Sequence, residues 1–189
     1  MKVRISRVVA FAAAAACAAS FQPIAQAQGA APTDPQIAGI VVAANNIDID
    51  YAKLALKKSK NKDVKAFAQQ METDHTALQK AVSDLAAKLN VTPEDSDTSK
   101  SLKSQSDEEL AKLKKLKGKA FDKAYIDNEV AYHKVVINAN DNVLIPNAQN
   151  ADLKSALEGA KPLFQGHLEH AEKVQSELEG NKTASKSSY

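Results

Sequence analysis

The chain of 189 residues has a single cysteine, Cys17, no tryptophan, and six glycines and six prolines. Its only arginines are Arg4 and Arg7. Each scarcity excludes something. A lone thiol forms no intramolecular disulfide, so oxidation does not staple the fold. Beyond residue 7 the chain lacks the planar guanidinium fork that grips phosphate or guanine through two bonds. With 25 Lys+Arg against 23 Asp+Glu the net charge is close to neutral, and nucleic acid is not an expected partner. Gly-rich phosphate loops are absent, and Ser83, Ser155 and Ser176 stand in no nucleophile-elbow context. What is abundant is alanine, leucine and lysine, which is helix composition.

The N-terminus reads as a targeting segment. "MKVRISRVV" is basic, an alanine-rich apolar run follows to about Ser20, and Ala25-Gln26-Ala27 is a small-x-small exit. This predicts a secretory signal peptide over 1–27, removed to leave Gln28. The apolar run is too short and too rich in alanine for a membrane span. Acylation at Cys17 is the competing reading, but "AAAC" lacks a leucine three residues earlier. Cleavage removes three basic residues and the cysteine, leaving 22 Lys against 23 Asp+Glu, a net charge of −1. The expected location is periplasmic or associated with the outer envelope.

After a flexible leader over 28–34, one helical domain is expected over 35–179 and a disordered polar tail over 180–189. Asp34-Pro35 suggests an N-cap followed by proline at the first helical position. The first helix, about 35–60, carries the stripe Ile37, Ile40, Ala44, Ile47, Tyr51, Leu54. Asn61 should cap the second, about 62–90, with Val64, Phe67, Met71, Leu78, Val82 and Leu85 inward. A polar crossover follows. Ser106-Asp107-Glu108-Glu109 fits a capping box for a short helix ending at Gly118. A third long helix is expected over 120–144 and a fourth over 151–179, the latter kinked at Pro162. No strand pattern or internal repeat is visible. Four long amphipathic helices with a long crossover predict an all-α, ferritin-like four-helix bundle.

Each long helix then interrupts its apolar stripe once. Asp48 falls between Ala44 and Tyr51, His75 between Met71 and Leu78, His133 between Ile126 and Val136, and His167 between Leu163 and Ala171. At ~1.5 Å per residue, Asp48 and His75 both lie ~20 Å from the turn at Asn61, so they should be level neighbours. The same count places His133 about one turn nearer the last interhelical turn than His167. Glu72, Glu129 and His170 are further candidates. Glu72 and His75 form Glu-x-x-His, His167 and His170 stand three apart, and Glu129 and His133 four apart, spacings that put two ligands on one helix face. Two readings follow. Asp48, His75, His133 and His167 hold a transition metal, for which a His-rich set suits Zn, Cu or Fe; or they form a buried polar network that fixes helix register. A full di-iron site is not expected, because only one Glu-x-x-His is present. No catalytic constellation is visible. The lysine runs "KKSKNKDVK" and "KLKKLKGK" read as solvated faces, with an envelope surface or protein partner as the alternative.

"VKAFAQQMETDH", "GKAFDKAYIDNEVAYH", "PLFQGHLEHA" and "LALKKS" together make the chain similar to the secreted bacterial domain of unknown function 4142 family of the ferritin-like superfamily. The resemblance covers roughly residues 36–178. It implies the bundle fold, an exported location and histidines at His75, His133 and His167. The family usually carries glutamate where this chain has Asp48. It implies no reaction. Some members are labelled outer membrane proteins, but no alternating strands for a barrel are present. The functional expectation is an exported bundle with a metal-binding core. The alternative is a non-enzymatic envelope interaction or stress protein whose buried cluster is structural.

Overall fold

Thr33 starts the first helix. The computed structural model describes residues 31–186, and there Thr33 forms a capping box with Gln36 before α1 (Asp34–Lys58). The cap expected at Asp34 is therefore one residue too late. Asp34 is used elsewhere: its carboxylate accepts the backbone N–H groups of Gln149 and Asn150, both at 2.9 Å, and ties the last interhelical turn to the start of α1. Asn61 caps α2 (Lys62–Lys88) as expected, accepting from the N–H groups of Asp63 and Val64. Asn90, at φ 52°, turns the chain out of α2.

The crossover helix is longer than the leucine spacing indicated. α3 spans Asp97–Lys115, and Ser96 pairs with Ser99 as its capping box. Ser106 is an interior residue of that helix and is buried. The upstream serines are poor helix formers, but Ser99 and Leu102 face the core and their burial holds the extra turns. The strap leading into α3 passes directly over α1. The Glu94 N–H donates to the Pro35 carbonyl at 2.9 Å, and a Cβ on Gly39 would stand 1.9 Å from the Glu94 carbonyl oxygen. Only glycine fits there. Lys58 anchors the far end of α3 by donating to the Leu113 and Lys114 carbonyls, and lies 5.3 Å above the Phe121 ring.

The third long helix, α4 (Gly118–Ala139), runs into a π-helical stretch at Asn140–Leu144 and one further turn, α5 (Ile145–Asn147). α6 (Ala151–Lys186) is helical through Pro162 and extends past residue 179. The signal-peptide reading of 1–27, the leader before residue 31 and residues 187–189 of the tail lie outside the described residues.

Among the described residues the chain is all helical, without a strand. α1 lies along α2 and α4 along α6; α2 meets α6, α1 meets α4, and α3 covers α1. The core between them contains Tyr51, Phe67, Met71, Phe121, Tyr125 and Ile126, all fully buried. No described helix is long and apolar enough to cross a membrane.

Candidate metal centre

Midway along the core the apolar filling stops. Asp48 of α1, His75 of α2, Glu129 and His133 of α4, and His167 of α6 are each 3% exposed or less. The imidazole centroids stand 6.0 Å apart for His75–His133, 5.2 Å for His75–His167 and 5.4 Å for His133–His167. Asp48 Oδ2 lies 3.2 Å from His75 Nε2 and 3.7 Å from His133 Nε2. The level match of Asp48 and His75 thus holds. The one-turn offset between His133 and His167 does not separate them. Side chains lean toward the N-terminus of their own helix, and α4 and α6 are antiparallel neighbours, so the two rings lean toward each other across the offset.

Each ring is held by one nitrogen and leaves the other free. The Nδ1–H of His75 donates to Asn45 Oδ1 at 2.9 Å. The Nδ1–H of His133 donates to the Glu129 carbonyl at 3.0 Å. The Nε2–H of His167 donates to Asp74 Oδ2 at 2.9 Å. A carbonyl or carboxylate oxygen only accepts, so these bonds fix the tautomers. His75 Nε2, His133 Nε2 and His167 Nδ1 are then lone pairs in the buried core, and none has a protein hydrogen-bond partner. One potential ligand atom from each of these three histidines, and likewise from Asp48, Glu129 and His133, falls within 4.8 Å of the others. Two nitrogens bound to one ion at ~2.1 Å stand at most ~4.2 Å apart, so a small inward turn of the rings closes the set on an ion.

Burial decides the protonation states. It lowers His75 and His133 to about 4, against the opposing charges of Asp74 and Asp48 respectively, and it lowers His167 against its hydrogen bond to Asp74. It raises Asp48, against the neighbouring His133 and His167. Glu129 is raised well above the usual carboxyl range, by burial first and by Asp48 second. Without a bound cation, burial thus favours the neutral form of all three imidazoles and of both carboxyls. Asp48 Oδ2 faces two imine nitrogens, a contact that requires a proton or a cation between them.

Two of the further candidates stand outside this cluster. Glu72 is half-buried and belongs to no metal-holding group among the described residues. His170 donates from Nδ1 to Gln70 Oε1 at 2.8 Å and packs edge-on against Phe67. Glu129, the third, is at the centre. The residues not anticipated are the two orienting side chains, Asn45 and Asp74.

Residues 19–174 match the family model described as Domain of unknown function (DUF4142). No curated protein and no solved structure matches the chain.

Proposed function

The chain belongs to the DUF4142 family, and from that premise we propose that it is an exported ferritin-like four-helix bundle that binds one transition-metal ion in its core. The observation that carries the reading is the convergence of three tautomer-fixed imidazole nitrogens, each without a protein hydrogen-bond partner, in the buried core. Leaving several buried acceptors unpaired costs about 1–3 kcal/mol each, and a cation shared among them removes that cost at once. His75, His133 and His167 would supply nitrogen, and Asp48 and Glu129 oxygen. With both carboxyls ionised, a divalent ion makes the centre neutral, which suits full burial. Nitrogen and oxygen donors without thiolate suit Zn, Cu or Fe. The ion would supply Lewis acidity or, for copper and iron, a redox couple.

The pairing of α1 with α2 and α4 with α6, with α3 in the intervening crossover, supports the ferritin-like arrangement. The basic, apolar and Ala25-Gln26-Ala27 segments support export.

A second reading has its own support. Asp48 Oδ2 lies 3.2 Å from His75 Nε2, and a proton held between the two would make the cluster a structural network in a non-enzymatic envelope protein.

Elemental analysis of untagged protein purified from periplasm separates the two. The metal reading predicts a mature chain beginning at Gln28 by intact mass, with one ion per chain. His75→Ala should abolish that ion, and added metal should raise the melting temperature of the wild type alone. The structural reading predicts no stoichiometric ion, and a metal-free His75→Ala protein destabilised by about 1–3 kcal/mol.

A further inference from the structure

A cavity of about 170 Å³ opens from the polar cluster and follows one half of the helical core to its end. Its inner end is formed by Asn45, Asp48 and His75, and its outer end by Asp34, Leu89 and Leu144. Along α1 this is the distance from residue 48 to residue 34, ~21 Å at ~1.5 Å per residue. The volume is thus spread thinly along the helices. Apart from the two ends and from Asn140, whose Nδ2 donates to the Leu157 carbonyl, the walls are alanine, valine, leucine, isoleucine and aromatic side chains. One side is open: Leu78, Val82 and Leu85 on α2, and Ala156, Ala160 and Phe164 on α6, line it, and none of the six is fully covered.

The inner end is polar and unsatisfied. Asn45 is 4% exposed, its Oδ1 is used by His75, and its Nδ2 donor has no partner. The apolar walls suit an apolar guest, and the Asn45 Nδ2 donor is left for such a guest to meet. The ligand must bring an acceptor. Beside Asp48 and Glu129 an ionised head group is disfavoured, which leaves a neutral oxygen.

We propose that this cavity binds an unbranched alkyl chain ending in a hydroxyl or carbonyl oxygen, with the oxygen innermost on Asn45 Nδ2 and the tail running toward Leu89 and Leu144. The oxygen then lies beside His75 and Asp48, so in a metal-loaded protein it is the part of the ligand next to the centre. The binding itself needs only the cavity and Asn45, and does not rest on the metal reading.

The test is calorimetric titration of the full chain, freed of metal by chelation, with 1-octanol, 1-decanol and octane. Affinity for the alcohols should rise about fourfold per added methylene, the factor for burying one CH₂. Asn45→Leu should weaken 1-octanol about tenfold and leave octane unchanged, the loss of one buried hydrogen bond. Ala160→Phe, at the open side where folding is not at stake, should abolish binding of all three. Absence of binding to the wild type, or unaltered binding to Ala160→Phe, overturns the proposal. So does light scattering that shows a dimer which Ala160→Phe dissociates, since a second copy would then occupy the cleft. Because the protein is chelated, these outcomes are independent of whether elemental analysis finds an ion.

Discussion

Glu129 is completely buried, with Asp48, Tyr125 and His133 as the polar groups around its carboxyl. Its proton is retained in the folded chain to a higher pH than its ordinary value of 4.5. The unfolded chain loses that proton first, so the metal-free fold loses stability as pH rises from the unfolded value toward the folded one. The slope is up to ~1.4 kcal/mol per pH unit for one proton. His75 and His133, lowered from 6.5 to about 4, act in the opposite direction between those values and are silent above 6.5, where they are neutral in both states. Denaturant melts of chelated protein should therefore show the wild type losing stability relative to Glu129→Gln as pH rises above 4.5; a difference between the two that does not change with pH would contradict the assignment. The four stripe residues were legible because each replaces an apolar side chain at helical spacing. Asn45 and Asp74 were not. They sit among polar neighbours in "ANNID" and "ETDH", and what marks them is that a core-facing imidazole needs an acceptor for its second nitrogen. That requirement was available from the sequence; which neighbour meets it depends on side-chain direction across helices.

At the scale of the elements, helix existence was readable from periodicity and the boundaries were not. Thr33 displaced Asp34 as a cap because a Gln three residues later completes the box, while Asp34 is recruited by Gln149 and Asn150 far along the chain. α3 was read too short because its first turns carry serine and lysine, and only the burial of Ser99 and Leu102 extends it. The strap before α3 depends on one glycine. Gly39→Ala would drive a methyl group into the Glu94 carbonyl, a backbone atom that cannot swing aside. The expected cost is about 1–3 kcal/mol, the range for overpacking, read as a lower denaturant midpoint at unchanged slope. A neutral Gly39→Ala would mean that the strap does not pack on α1.

In the whole molecule, polar and apolar functions divide along the helix axes. One half of the core is filled by Tyr51, Phe67, Phe121 and Tyr125. The middle holds the five ionisable side chains, and the other half contains the cavity. The all-helical class followed from composition, and the approach of the four long helices followed from short turns and stripe positions. The open seam between α2 and α6 was not legible, because Leu78, Val82 and Leu85 continue the same apolar stripe that elsewhere is closed by a neighbour. The central claim is that three imidazoles on three helices share one ion. X-ray absorption at the edge of the bound metal counts them directly. The account predicts scattering from three imidazoles with additional oxygen and no sulfur, falling to two imidazoles in any His133→Ala protein that retains metal. An ion with one imidazole or none, or a spectrum unchanged by His133→Ala, would contradict it.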